Sequence, residues 1–157
     1  MALAAQERSQ QEQARGQAAK VRLAGLEDAR NVAQLLREVR DEPTTSEEVE
    51  ATLEKGGALL LESSGTLLCA LLWLETPHGW TLEQPAVAEA YRNQELDRWV
   101  LTKLEALAIR RNVPTLKMRL SDESLLPYYG RMGYRREEDG SEIILGKRVG
   151  GTWQYKV

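Results

Sequence analysis

Residues 85–97 lie between a strand-like run and a long amphipathic helical pattern, which is where an α/β fold usually binds phosphates. An anion site at a helix start needs bare backbone N–H groups, the positive end of the helix dipole and glycines that allow close approach. The helical pattern here opens with Glu95 and Asp97 instead. A carboxylate about 4 Å from a phosphate charge raises the binding free energy by about 4 kcal/mol at an effective dielectric constant of about 20. These residues therefore disfavour a bound anion.

The acidic pair also has a purely structural interpretation. Carboxylates in the first turn stabilise a helix by about 0.3–1 kcal/mol each. The nearby cations can be assigned in two ways, because they could either grip a phosphate or pair with the two carboxylates; they are Arg92, Arg98 and Lys103. Glycine at positions 95 and 97 would discriminate between these interpretations, with an expected loss of stability at the helix start.

Two other residues could carry chemistry. His78, the only histidine, lies in a turn, where it would act as a general base only if the turn folds over a substrate; a solvated turn residue is the alternative. Cys69, the only cysteine, lies within an apolar run, which predicts a buried structural thiol in a reducing compartment. No second ligand accompanies His78, so the sequence predicts no metal site.

Composition narrows the class of protein. A chain of 157 residues can bury one core without disulfide bonds or metal ions. With 21 basic and 24 acidic residues the net charge is -3, so no nucleic-acid partner is expected. The longest apolar run, LLCALLWL, is far shorter than the about twenty residues that cross a bilayer, and residues 1–20 do not resemble a secretory signal. These features predict a cytoplasmic protein without a membrane segment.

The apolar periodicity predicts one α+β domain at residues 21–149, after a flexible or helical tail at 1–20 and before an extension at 150–157. Thr45 and Glu48 have the spacing of a capping box, and Asn93 and Ser121 are the expected N-caps of two later helices. The predicted helices cover 26–39, 45–55, 93–112 and 121–133, and the predicted strands cover 21–24, 58–61, 66–74, 80–87, 115–120, 134–138 and 142–149, the last two joined by a turn at Asp139-Gly140.

Two segments resemble a known family. PYYGRMGYRRE at residues 127–137 is similar to the aromatic-Tyr-x-x-x-Gly-Phe ending of the GNAT superfamily of N-acetyltransferases, with Tyr129, Gly133 and Tyr134 in the matching places. AVAEAYRNQEL at residues 86–96 resembles the family's passage from strand to cofactor loop. The resemblance implies a single-domain GNAT-like fold with a mixed, mostly antiparallel sheet flanked by helices. It also implies transfer of an acetyl group from acetyl-CoA to an amine.

The resemblance assigns roles by position. Tyr129 matches the family's general acid, and Glu83 lies on the strand that would carry the general base. The family's Arg/Gln-x-x-Gly-x-Gly/Ala loop, which grips coenzyme A, begins at Arg92 but has Glu95 and Asp97 at its two glycine positions. The residues that the resemblance assigns to cofactor binding are Ala86, Val87, Arg92, Asn93, Gln94, Glu95, Leu96, Asp97 and Asp122. Asp122 stands near the place of a coenzyme A-binding asparagine.

The acidic loop motivates a second hypothesis. A catalytically inactive pseudo-acetyltransferase could use the same fold as a protein-binding or assembly module, for example as a homodimer. Exposed tryptophans would mark such an interface, although buried packing is their other interpretation; the four are Trp73, Trp80, Trp99 and Trp153. The amine acceptor and any protein partner are not identified by the sequence.

Overall fold

A computed structural model of the chain describes residues 19–40, 42–137 and 143–149. Its strands are β1 (Ala19–Leu23), β2 (Gly56–Ser63), β3 (Thr66–Thr76), β4 (Gly79–Leu82), β5 (Ala86–Val87), β6 (Thr115–Leu120), β7 (Arg135–Glu137) and β8 (Ile143–Arg148). Its α-helices are α1 (Ala29–Val39), α2 (Ser46–Lys55), α3 (Leu96–Arg110) and α4 (Leu126–Gly130). The predicted tail before residue 19, the turn at Asp139-Gly140 and the extension after residue 149 lie outside the described residues.

The strands form one mostly antiparallel sheet in the order β1-β2-β3-β4-β6-β8-β7, and β5 pairs with β3. The one parallel pairing among the described strands joins β4 to β6, over residues 80–82 and 116–118. The predicted antiparallel pairing of the last two strands is confirmed by β7 and β8. The α+β class and the mixed sheet flanked by helices therefore agree with the prediction.

Alternation along the central strands builds a core on each face of the sheet. Leu59 and Leu61 of β2 lie in one core with Cys69 and Leu71 of β3. The residues between them, which point to the opposite face, lie in the second core; they are Leu60 and Ala70, with Ala58 and Leu72 beside them. Because both faces are covered, these strands read as continuous apolar runs rather than as polar-apolar alternation.

The helices divide between the two faces. Helices α1 and α2 cover one face, with α1 burying Ala29, Val32, Ala33, Leu35 and Leu36. Helix α3 covers the other and buries Leu96, Val100, Leu101, Leu104 and Ala108. The predicted cap of α2 is confirmed, because the Thr45 hydroxyl accepts a hydrogen bond from the Glu48 N–H at 3.1 Å.

Two predicted helix starts are wrong. The N-cap of α3 is Glu95, not Asn93, and Trp99 N–H donates the first helical bond to the Glu95 carbonyl at 3.1 Å.

The cap after β6 is Asp122, not Ser121; its carboxylate accepts from Ser124 N–H at 2.9 Å and starts a 3₁₀ turn. Helix α4 follows that turn and ends at Gly130, so Met132 and Gly133 lie beyond it. Local capping patterns cannot distinguish neighbouring polar residues, and the tertiary path of the loop decides between them.

Within the described residues, no helix has both the length and the apolar character needed to span a bilayer.

Candidate active site

The strand predicted at residues 80–87 is interrupted. Strand β4 ends at Leu82 and β5 begins at Ala86. The chain stays beside β3 through this break, because Glu83 N–H donates to the Leu72 carbonyl at 2.9 Å. Pro85 removes one backbone donor at the break. Strand β4 pairs with both β3 and β6, whereas β5 pairs with β3 alone among the described residues. The sheet therefore opens between β5 and the end of β6.

Contacts from two other elements hold this break in place. Arg40, just after α1, donates to a Glu83 carboxylate oxygen at 3.0 Å and to the Gln84 carbonyl at 2.8 Å. The Gln84 side-chain oxygen accepts from the hydroxyl and the N–H of Ser121, at 3.2 and 3.4 Å. Sequence reasoning did not identify Arg40 or Gln84 as site residues, since their contacts cross 43 and 37 positions and no local spacing signals them.

The opening leads into a cleft of about 630 Å³. This volume is within the range of about 300–1,000 Å³ that is usual for small-molecule sites. Its walls come from the strand break, the loop before α3 and helix α4. The cleft thus lies at the open edge of β5 and beside the start of α3.

Tyr129 lines the cleft from α4. The residue is only 2% exposed, and its ring packs edge to face against Tyr128 and Tyr134. Burial raises the pKa of the Tyr129 phenol, with a smaller contribution from the negative charge of Asp97. Its hydroxyl makes no hydrogen bond with the described residues, whereas the Tyr134 hydroxyl donates to Glu105 at 2.8 Å. Tyr129 therefore keeps its proton at neutral pH and can donate it to a group in the cleft.

Asp97 and Tyr128 line the cleft beside the start of α3. The Tyr128 hydroxyl donates to a carboxylate oxygen of Asp97 at 3.2 Å. Burial, followed by the charge of Asp97, raises the pKa of Tyr128 to about 12. Asp97 is also the second cause, after burial, of the raised pKa of the Cys69 thiol. The Asp97 carboxylate is therefore held against Tyr128 in the lining of the cleft.

Glu95 occupies the first glycine position of the family's loop and adopts the backbone that glycine would provide. Its φ of 57° and ψ of 29° are left-handed, a conformation that costs a residue with a side chain about 1–2 kcal/mol. Asn93 is also left-handed, with φ 67°, and asparagine tolerates this region well. The loop thus has glycine-like geometry at Glu95, an exposed acidic residue that lines the cleft.

The other predicted site residues are divided between the cleft and its surroundings. Val87, Arg92, Asn93 and Leu96 line the cleft. Ala86 is buried in the core on the α1 side, and Gln94 and Asp122 are not among the lining residues. Asp122 is exposed, and the Ser124 N–H that it accepts lowers its pKa. Glu83 lies next to the cleft, with its side chain 47% exposed and paired with Arg40.

The remaining candidate residues are explained by structure. His78 is exposed in the turn between β3 and β4, and Cys69 is a buried free thiol. Trp73 and Trp80 stack at 4.8 Å inside the core, Trp99 is half-buried, and Trp153 lies outside the described residues. In the described part of the chain, no cluster of three His, Cys, Asp or Glu side chains could hold a metal ion.

Solved structures share this architecture. The ribosomal-protein-S18-alanine N-acetyltransferase from Escherichia coli superposes with a TM-score of 0.75 at 18% identity, over 85% of this chain and 96% of that chain. The PaiA N-acetyltransferase from Thermoplasma acidophilum, solved in complex with coenzyme A, gives 0.71 at 14% identity, over 83% and 99%. A GNAT-family acetyltransferase from Listeria monocytogenes gives 0.72 at 19% identity, over 83% and 94%.

No family model matches the sequence, and no curated protein matches it either. The structural likeness is nevertheless extensive, because it covers most of this chain and nearly all of each neighbour. The chain has the fold of the GNAT N-acetyltransferases. At these identities the likeness shows the fold alone, and the chemistry of the cleft depends on the residues that line it.

Proposed function

We propose that this protein transfers an acetyl group from acetyl-CoA to an amine in the cleft between β5, α3 and α4. The observation that carries the proposal is Tyr129, a buried phenol that lines the cleft and has no hydrogen-bond partner among the described residues. Coenzyme A in the PaiA neighbour supports the choice of donor at the level of the fold.

The transfer forms a C–N bond and breaks a C–S bond, so the amine loses a proton and the departing sulfur gains one. When bound, acetyl-CoA supplies the thioester. Tyr129 holds a proton that can reach the sulfur, because burial keeps the phenol protonated. Glu83 is the proposed acceptor of the amine proton, through an intervening water, since it lies beside the cleft and Arg40 holds its position.

The cleft fits the parts of the donor unequally. In the GNAT family that the sequence resembles, amide groups of the central strand pair with the pantetheine arm of coenzyme A. The open edge of β5 provides such groups. Arg92 can contribute a cation to the nucleotide end. Glu95 and Asp97 do not fit a diphosphate at the start of α3, because both of these acidic residues line the same cleft.

Calorimetric titration of the full chain with acetyl-CoA tests the proposal before any acceptor is known. We expect saturable binding with a raised thermal midpoint, followed by acetylation of at least one compound in a panel of primary amines. Absence of heat and of any thermal shift at millimolar acetyl-CoA, in protein with a cooperative unfolding transition, would overturn it.

A second function is favoured by the hydrogen bond from Tyr128 to Asp97. The bond holds a carboxylate at the start of α3, where the resemblance implies an anion site, and so supports a pseudo-acetyltransferase that acts as a protein-binding or assembly module. That function predicts no acetyl-CoA binding and a defined assembly, such as a homodimer, by light scattering. A monomer that binds acetyl-CoA would contradict it.

We also propose a cytoplasmic location. Cys69 is a free thiol buried in the core, which fits a reducing compartment. Fractionation of the native host's cells would test this, and recovery of the protein outside the cytoplasm would contradict it.

A further inference from the structure

Two parts of the cleft wall present different chemistry to a ligand. Strand β5 offers an edge that is unpaired by other described strands, and Val87 and the buried Tyr129 line the cleft with it. An open strand edge recognises an extended chain of amide groups through main-chain hydrogen bonds. Because no buried side-chain polar atom of the described residues lacks a partner, the unpartnered hydroxyl of Tyr129 is accessible from the cleft and can donate to a group there.

The second part of the wall, the start of α3, is acidic. Glu95 and Asp97 both line the cleft, and Arg92 is the one cationic side chain among its described lining residues. The left-handed backbone at Glu95 keeps the loop geometry that would suit a phosphate, so the departure is in charge rather than in shape. Asp97 is also held in place by the Tyr128 hydroxyl at 3.2 Å.

We propose that this cleft recognises its acyl donor by the amide-containing pantetheine arm and selects against a diphosphate at the start of α3. The preferred donor class is therefore an acetyl thioester of a pantetheine-type arm, for which the nucleotide of coenzyme A adds little or no affinity. This inference rests on the proposed function, because it names the part of the donor that the same site reads.

The test compares acetyl-CoA with S-acetylpantetheine, which has the same thioester and amide arm but lacks the diphosphate and the nucleotide. Both are titrated calorimetrically into the full chain at low and high salt. Because the repulsion of like charges offsets the additional contacts, the two dissociation constants should agree within about tenfold. Added salt should leave acetyl-CoA binding unchanged or strengthen it, since salt screens the repulsion.

Two isosteric variants locate the effect. Asp97→Asn removes the charge but keeps an oxygen that can accept the Tyr128 hydroxyl, and Glu95→Gln removes the second charge. Each should strengthen acetyl-CoA binding by about tenfold and leave S-acetylpantetheine binding unchanged. Glu89→Gln is the matched control, because Glu89 is exposed on a turn before the loop and does not line the cleft.

The outcomes separate the inference from the function on which it rests. If acetyl-CoA binds more than about a hundredfold more tightly than S-acetylpantetheine, and more weakly in high salt, the diphosphate is gripped and the inference is overturned while acetyl transfer stands. If neither thioester binds to folded protein, the proposed function fails and the inference fails with it. Equal strengthening by the Glu89→Gln control would show a general charge effect and would also overturn the inference.

Discussion

Glu95 combines a backbone conformation suited to glycine with a charge unsuited to anions. Its left-handed φ of 57° stands where the resemblance expects glycine, yet this acidic residue lines the cleft. A side chain in this region costs stability, and glycine does not pay that cost. Glycine at position 95 should therefore stabilise the start of α3, contrary to the expectation from the sequence. Glycine at position 97, inside the helix, should still weaken it.

We predict that Glu95→Gly stabilises the protein by about 1 kcal/mol, because the relief of left-handed strain exceeds the entropy that glycine adds to the unfolded chain. Chemical denaturation measures the change. Glu95→Ala is the control, since it removes the same carboxylate but retains a β-carbon; it should give no gain. Destabilisation by glycine equal to that by alanine would contradict the strain at Glu95.

Tyr129→Phe should lower the rate of acetyl transfer by about 10²–10⁴-fold, because the phenyl ring preserves packing but cannot donate a proton. Steady-state kinetics with an accepted amine measures the loss, and thioester binding should change little. In wild type the raised pKa of Tyr129 means that alkaline loss of this proton occurs above the ordinary tyrosine pKa of about 10.

Tyr134→Phe separates catalysis from the loss of a buried hydroxyl. It removes the hydrogen bond to Glu105 without touching the lining of the cleft, so it should reduce stability and spare the transfer rate. Equal losses of rate in the two variants would contradict a proton-donating role for Tyr129.

At the scale of elements, an ion pair joins β1 to the turn that precedes α1. Arg22 donates to the two carboxylate oxygens of Asp28 at 2.9 and 2.7 Å, and Gly25 N–H donates to one of them at 2.8 Å. Asp28 is the one buried polar or charged residue in the described chain. The hydrogen bonds from Arg22 are the main cause of its lowered pKa. This contact holds the start of α1 beside β1.

The lowered pKa of Asp28 predicts acid-sensitive stability. The folded state favours the ionised carboxylate, so its contribution is complete above the ordinary aspartate pKa of about 3.9 and is lost as pH falls through the lower folded pKa. Asp28→Ala should reduce the free energy of unfolding by about 2 kcal/mol at pH 7 and flatten its decline in acid. Denaturation between neutral and acidic pH measures both effects.

Glu27→Ala is the matched control for Asp28→Ala, because Glu27 is an exposed carboxylate in the same turn. It should leave the stability at pH 7 within about 0.5 kcal/mol of wild type. An unchanged acid dependence in Asp28→Ala would contradict the assigned role of the Arg22 pair.

At the scale of the whole molecule, the sheet is shared by two cores. Leu36 of α1 lies in one core and Leu104 of α3 lies in the other. Alternate residues of β2 and β3 belong to different cores. Neither core can therefore unfold on its own while these two strands remain ordered. The cleft takes residues from both faces of the sheet. Val39, at the end of α1, packs against one core, and Tyr129 belongs to the core that α3 covers.

We predict that Leu36→Ala and Leu104→Ala each cost about 2–5 kcal/mol and leave a single unfolding transition, since both cores depend on the same strands. Tryptophan fluorescence reports one core through the Trp73–Trp80 stack, and far-ultraviolet circular dichroism reports all helices. Ile109→Ala is the control, because Ile109 is 42% exposed on α3. Separate transitions by the two probes would contradict a shared core.

Local patterns explain why much of the fold was predictable. The apolar runs of β2 and β3, the helical spacing in α1 and α3 and the cap at Thr45 each depend on residues a few positions apart. The sequence also singled out Tyr129 and the loop before α3, and both line the candidate cleft. The geometry of the cleft was not predictable, because the split after Leu82 depends on pairing with β3 and β6 together.

The sequence by itself determined the α+β class, the order of most elements and the acidic character of the loop at Glu95 and Asp97, because periodicity and residue type are local properties. Only the tertiary structure decided that Asp97 turns into the cleft to meet Tyr128, 31 positions away, and that Arg40 holds Glu83, 43 positions away. It also decided that Tyr129 is buried beside an open strand edge. Such contacts depend on where the sheet brings distant segments together, which no local spacing in the chain encodes.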